Sequence, residues 1–444
     1  MTFIRKRHLI AAMLIVHGCA DSTNDAHDDT DGAEVTFWRD VAPIYFERCV
    51  SCHTVGGIAP FTLDDYPSAK TWAAVSSSAV RAGTMPPWLV VDDGSCGTFH
   101  DSRALSEAEI ELIAAWSDAG APEGDPQEGA HLRPPEIGEL EGATVLATPD
   151  FVPKIEGGPF AEFDEYRCFA VEPGLETPHF VTGYEVRPGN PAIVHHVLGM
   201  TVDPNHVTAS GETNGEVMAR LAAESPGRPG WSCYEGAGEG VEPSALPVAW
   251  APGQGVVEYP DGLGMYVAPE EIVVLQVHYN LADPANVGSS DRTELWLRLE
   301  SQVERPGVMA LPDGFITSLF TEEPASLPPG DPTARFSWEM PVEWLTEGLA
   351  VDLYGVLPHM HGFGRKIRLE VLRDEGPLCG VDVPRWDFNW QLLYFYDHPL
   401  RLQPSDVLRV TCEYDTTSAT RPVTPGWGTG SEMCLMGLFA VPVL

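Results

Sequence analysis

The sequence predicts a multidomain protein in which a small α-helical domain, residues 36–123, precedes two all-β domains, residues 149–284 and 285–444. Two patterns carry that expectation. Before residue 123, Phe37, Val41, Ile44 and Tyr45 recur at helical spacing, and Ile110, Ile113, Ala114 and Trp116 do so behind a Ser106–Glu109 capping box. Pro43 must kink the first of these helices or open a new one. After residue 148 short alternating runs, such as Val181 to Val186 and Val407 to Cys412, are separated by Gly, Pro, Asn and Asp, as in antiparallel strands. Between the two regions, residues 124–148 are rich in Gly, Pro and Glu without periodicity and read as a linker. The turn-rich stretch from Leu281 to Ser290 marks the expected boundary between the β-domains.

The first residues read as an export signal. Arg5, Lys6, Arg7 and His8 precede an apolar stretch from Leu9 to Val16 that is too short to span a membrane. Val16-His17-Gly18-Cys19 resembles a bacterial lipoprotein cleavage box, with His17 in place of the usual small residue. That makes 1–19 an expected signal peptide and Cys19 the expected lipid anchor. Residues 20–35 are acidic, nearly without apolar content, and are expected to form a disordered tether. The expected location is the periplasm or cell envelope, with membrane contact only through lipid. Lys+Arg 26 against Asp+Glu 65 gives a net charge of −39, which argues against nucleic acid and leaves a basic redox partner protein open.

Cys49-Val50-Ser51-Cys52-His53 is the strongest motif of the helical domain. Two thiols at this spacing can add to the vinyl groups of a haem while the following histidine takes the iron. A redox Cys-X-X-Cys pair or half a zinc site would use the same thiols. Gly83-Thr84-Met85-Pro86-Pro87-Trp88 lies between the two helical stripes, and its prolines can fix a loop that presents Met85 to the open haem face. From Thr36 to Pro122 the chain resembles a small class I cytochrome c. The resemblance implies one haem c held by Cys49, Cys52 and His53, with Met85 as distal ligand.

Five histidines and one methionine dominate the rest: His195 and His196, His278, His359 and His361, and Met433. Imidazole and thioether together select copper over calcium, magnesium or manganese. On a strand, His359 and His361 point the same way and form a natural chelating pair, and Gln276 shares a face with His278. His195 and His196 point to opposite faces of an ideal strand, so joint ligation needs a bulge or the use of different ring nitrogens.

The order of these segments resembles the copper type II, ascorbate-dependent monooxygenases, a family that includes peptidylglycine alpha-hydroxylating monooxygenase and dopamine beta-hydroxylase. Val194-His195-His196-Val197-Leu198, Gln276-Val277-His278-Tyr279, His359-Met360-His361-Gly362 and Glu432-Met433-Cys434 carry the likeness, which runs from about Ala161 to Leu444. It implies two jelly-roll-like sandwich domains and two coppers. His195, His196 and His278 would hold the electron-transfer copper. His359, His361 and Met433 would hold the catalytic copper that handles dioxygen, where a soft thioether favours Cu(I). The implied activity is hydroxylation of a small-molecule C–H bond; the joined haem region, held close by the linker, predicts that electrons reach copper from the haem in place of ascorbate. Gln276 either orients substrate or water or is a plain polar strand residue. Peptide-amidating members grip a substrate carboxylate at positions that here are Leu357, Leu435 and Gly437, so a less charged substrate is implied. A non-catalytic haem/copper redox or copper-binding lipoprotein is the alternative.

The same resemblance pairs Cys168 with Cys233 and Cys412 with Cys434 as disulfides. Cys96 and Cys379 are left over; pairing would tether the helical domain to the last β-domain, and two free or oxidised thiols are equally compatible with the sequence. Four of the other histidines, His100, His179, His206 and His398, have no motif context and receive no role.

Overall fold

A computed structural model describes residues 34–443 apart from 56–58, 134–139, 156–163, 235, 253, 282, 347, 389 and 427–429. The signal peptide, Cys19 and nearly all of the acidic tether lie outside the described residues. Residues 35–444 form one compact unit.

The helical region follows its sequence closely. A π-helical turn, Phe37–Val41, runs into the α-helix Ala42–Arg48, with Pro43 in the first turn, where a missing N–H costs nothing. Pro43 therefore opens a new helix. Helix Tyr66–Arg81 starts on Asp65, whose carboxylate accepts from Ser68 N. Helix Glu107–Asp118 has the reciprocal Ser106–Glu109 capping box that its sequence predicts. The two apolar stripes meet in a core of Phe37, Val41, Tyr45, Ile113 and Trp116.

Three sheets make up the rest. A five-stranded sheet has the order Trp231–Ser232, Asp164–Val171, Ile272–Asn280, Val194–Val202, Ala245–Trp250. A four-stranded sheet orders Ala334–Pro341, Val407–Tyr414, Gly364–Leu372, Leu378–Val383. The main path of the nine-stranded sheet is Thr144–Ala147, Glu294–Glu300, His179–Arg187, Leu263–Val267, Arg305–Ala310, Leu435–Pro442, Val351–His359, Tyr394–Leu402. Its first half packs on the five-stranded sheet, where Tyr184 and Leu297 share a core with Val197 and Val277. Its second half packs on the four-stranded sheet, where Leu353, Val356 and Leu438 meet Ile367, Leu369 and Val410.

The second half is covered on both faces, because strand side chains alternate. Val356, Tyr394 and Leu438 enter the second core, while their neighbours Leu357, Phe395 and Phe439 enter the first. The two sandwiches are thus joined through one sheet, whose seam is a short parallel pairing of Arg305–Gly307 with Leu263–Met265. Strand Glu294–Glu300 lies past the sequence-based boundary at 284/285 yet pairs with Thr144–Ala147 and His179–Arg187 of the first sandwich. The expected linker likewise ends in an edge strand, Thr144–Ala147, with Leu140 buried before it.

All three disulfides among the described residues bear on this frame. Cys168–Cys233 and Cys412–Cys434 form as the family resemblance implies, and Cys96 pairs with Cys379 across 283 residues. The last bridge fastens the helical region to the second sandwich, where Leu89, Val90 and Phe99 join the core.

Candidate metal centres

The first cluster forms on neighbouring strands of the five-stranded sheet. His196 faces His278 in register, and the pairing slips between Val194 and His196. That irregularity is the bulge that ligation by adjacent histidines demands, and it brings His195 round to the same side. His196 Nδ1 lies 3.4 Å from His195 Nδ1 and 3.1 Å from His278 Nδ1. The three residues' donor atoms all fall within 4.8 Å of one another, a spacing suited to a single ion. Second-sphere support comes from the next strand: Asp164 Oδ1 stands 3.3 Å from His278 Nε2, and the Tyr166 ring stacks on the His278 ring at 4.0 Å.

The second cluster sits where two adjacent strands of the nine-stranded sheet end. His359 closes strand Val351–His359, and its register partner Leu435 follows Met433 by two residues. His361 lies just past the strand end, yet its ring remains 5.2 Å from that of His359. Here Nδ1 is already engaged: His359 Nδ1–H donates to Gln391 Oε1 at 2.5 Å, and His361 Nδ1–H donates to Ser431 O at 3.0 Å. Nε2 is left to bind. The first cluster gathers Nδ1 atoms and the second offers Nε2 atoms, so the two present different faces of the same side chain.

Met433 is buried and held from several directions. Tyr414 Oη donates to its carbonyl at 2.8 Å, and the Cys412–Cys434 bridge fixes the next residue. Glu432 accepts from His361 N at 2.8 Å, Phe363 N at 2.7 Å and Met433 N at 3.2 Å, tying both ligand segments together. Burial raises its carboxyl to about 8, against the pull of those N–H groups. Gln276 goes elsewhere: its amide nitrogen donates to Cys233 O and Gly236 O, so it secures the loop after the Cys168–Cys233 bridge.

Desolvation favours the neutral, metal-binding form of His196, His278 and His359. Burial lowers His278 to about 4, with Asp164 opposing, and lowers His359 to about 3, helped by His361. His196 is pushed well down by burial, then by His278, His195, His359 and His361, which places the two clusters within electrostatic reach of each other. Phe388 lies between them, 5.8 Å from the His195 ring and 6.1 Å from the His361 ring.

The residues of the haem motif also fit their group. Neither Cys49 nor Cys52 is in a disulfide among the described residues. His53 Nδ1–H donates to Phe61 O at 3.0 Å, which leaves Nε2 for iron. Trp88 Nε1, three residues after Met85, is buried without a partner among the described residues, a donor suited to an acidic group. Met85 itself is half-buried in the turn that follows helix Tyr66–Arg81.

Sequence reasoning gave no role to Asp164, Tyr166, Gln391, Trp386 or Phe388. Only Glu432 had a signal, its place in the Glu-Met-Cys segment.

Fold and donor set define a mainly β protein with two candidate metal centres, one of three imidazoles and one that combines two imidazoles with a methionine. Residues 318–439, which include His359, His361 and Met433, match the family model described as copper type II ascorbate-dependent monooxygenase, C-terminal domain. The chain is 30% identical over 206 residues to DBH-like monooxygenase protein 1 of Gallus gallus, covering 44% of this chain and 32% of that protein. It is 26% identical over 309 residues to the tyramine beta-hydroxylase of Caenorhabditis briggsae, covering 66% and 47%. Against the dopamine beta-hydroxylase of Rattus norvegicus it is 24% identical over 370 residues, covering 79% and 54%. The matches therefore span from about a third to about half of these relatives' lengths. Together they support the copper type II, ascorbate-dependent monooxygenase family and, with it, copper as the metal.

Proposed function

We propose that the chain is an exported copper-dependent monooxygenase in which R–H, dioxygen, two electrons and two protons give R–OH and water. The observation that carries this reading is the pairing of two unlike donor sets. A metal buffer has no need of one three-imidazole site and another with two imidazoles and a thioether. His195, His196 and His278 would hold one copper through Nδ1; His359, His361 and Met433 would hold the other. Copper bound there supplies the one-electron steps and the activation of dioxygen. The chain's own contribution is to fix the imidazoles, through Asp164 at one site and through Gln391 and Glu432 at the other, and to favour the neutral form of His196, His278 and His359 by burial.

The same reading gives Cys49, Cys52 and His53 a haem c, with Met85 on its far side, and makes that haem the immediate electron source. Two thiols outside any disulfide, the His53 ring held through Nδ1 and the Trp88 N–H without a partner among the described residues support it. Three disulfides suit an oxidising compartment, in keeping with export and with a lipid anchor at Cys19. No helix among the described residues is long and apolar enough to cross a membrane. Positions Leu357, Leu435 and Gly437 offer no cation to a carboxylate, so glycine-extended peptides are not the substrate. Metal and haem analysis should find two coppers and one covalent haem, and oxygen uptake should couple to a hydroxylated product. Copper binding without coupled uptake would leave a redox carrier instead.

A further inference from the structure

Met433 and Cys434 lie just ahead of strand Leu435–Pro442, and side chains satisfy their main chain where a ladder would otherwise do so. Met433 N donates to Glu432 Oε2 at 3.2 Å, and Cys434 N donates to Asp313 Oδ2 at 3.2 Å. Met433 O accepts from Tyr414 Oη at 2.8 Å, and Cys434 O accepts from Trp338 Nε1 at 2.8 Å. Every main-chain polar group of the two residues is thus held by a different side chain, and the Cys412–Cys434 bridge adds a covalent attachment.

The holders come from separate elements. Trp338 lies on strand Ala334–Pro341, Tyr414 ends strand Val407–Tyr414, and Asp313 caps the short helix Gly314–Thr317 by accepting from Phe315 N and Ile316 N. The two strands pair in register, Ala334 with Tyr414 and Trp338 with Val410. The indole has room because residue 314 is glycine: a Cβ there would lie 2.1 Å from Trp338 Cγ. Asp313, Tyr414, Glu432, Met433 and Cys434 are all buried. The imidazole segment is held in a similar way, with Trp386 Nε1 donating to His361 O at 3.3 Å. A methionine side chain has three rotatable bonds, so its sulfur is fixed only if its backbone is.

We propose that Trp338, Tyr414 and Asp313 are positioning residues that set the Met433 thioether in place before any metal arrives, and so determine how strongly the second site prefers Cu(I) to Cu(II). This rests on the copper reading proposed above. The soft sulfur favours Cu(I), whereas the imidazoles serve both oxidation states. A thioether that drifts therefore weakens Cu(I) first. The same three ligands on a loose segment would hold Cu(II) nearly as well and Cu(I) less tightly.

The test uses the full chain in the His196→Ala background, where the first site is emptied and the second is read alone. Cu(I) and Cu(II) affinities are measured separately by chelator competition, anaerobically for Cu(I). Methyl groups are followed by NMR in metal-free protein labelled with carbon-13 methyl methionine, with Met433→Ile marking the Met433 signal. Trp338→Phe removes the indole N–H, and Gly314→Ala displaces the indole while keeping all four holders in the sequence; Tyr414→Phe carries the same readings if Trp338→Phe does not fold. Each should lower Cu(I) affinity by roughly 10–100-fold, change Cu(II) affinity much less, and shift the Met433 methyl signal without metal. Equal losses for both ions, or undiminished Cu(I) affinity in a folded variant, overturn the proposal. A parent that binds no copper at this site refutes the copper reading instead. The metal-free methyl signal then decides alone: a dispersed resonance that moves in the variants supports the fixed thioether, and an averaged one that does not move overturns it.

Discussion

The two histidine clusters use the same residue type on the same kind of sheet and differ in almost everything else. The first lies within one sheet, across a register pair, with a bulge turning the third imidazole inward; its support is a carboxylate and a stacked tyrosine. The second lies at strand ends, has Met433 in the lead-in to a neighbouring strand, and is supported by an amide, a main-chain carbonyl and a buried glutamate. On the proposed reading, the imidazole-only set held within one sheet would pass electrons. Placement at the strand ends with a soft donor suits a metal that must also meet dioxygen and substrate. Which ring nitrogen faces the metal is decided by what the other nitrogen already binds.

Removing the thioether should break that contrast most severely. Met433→Ile should abolish hydroxylation while the Cu(II) EPR signal of the three-histidine site is retained; turnover at the parent rate would refute the division of labour. Stability separates the regions next, since only the second is covalently stapled to the helical module. Cys96→Ser should lower unfolding free energy by about 2–5 kcal/mol in denaturant titrations without loss of copper from the first site. A variant as stable as the parent would mean that docking is held by the remaining contacts.

Second-sphere changes should be smaller and confined to one site. Asp164→Asn should weaken copper at the first site by roughly 10–100-fold and Gln391→Ala should do so at the second, measured by chelator competition. Equal losses at both sites in either variant would dissolve the distinction. The mildest effect is a titration that should not occur. Burial depresses His196, His278 and His359 below the ordinary imidazole value, so in metal-free protein they are neutral at pH 7, and His278 and His359, at about 4 and about 3, stay mostly neutral as pH falls to 5. Nitrogen-15 NMR of the imidazoles checks this; protonation of these three near pH 6.5 would contradict it. Between pH 6.5 and their lowered values protons bind the unfolded chain preferentially, so their contribution to stability is fully present above pH 6.5 and is lost as pH falls through about 4 for His278 and about 3 for His359.

What could be read from the sequence was whatever a short segment encodes by itself. The capping box at Ser106, the helix opened near Pro43, the strand alternation from Val407 and the bulge implied by adjacent histidines each depend on a few neighbouring residues, and each is present. Partners set by register were out of reach. Asp164 meets His278 only because strands Asp164–Val171 and Ile272–Asn280 pair as they do, and Gln391 reaches His359 from a segment with no motif. Strand Glu294–Glu300 escaped for the same reason: a turn-rich stretch precedes it, but hydrogen bonding carries it back to the first sandwich. The pairing of Cys96 with Cys379 needed the docked position of residues 82–100, which composition does not encode.

The seam in the nine-stranded sheet bears on how far the chain can be divided. Cutting between the sandwiches would strip strand Leu263–Val267 of its parallel partner and leave Arg305–Ala310 and Leu435–Pro442 without the first core against their second face. Each half would then carry an open strand edge beside bare apolar side chains, the combination that drives strand-to-strand aggregation. Neither sandwich is therefore a free-standing cassette. Grafting one of them into another protein would require an added strand or an added cover to take the place of the half left behind.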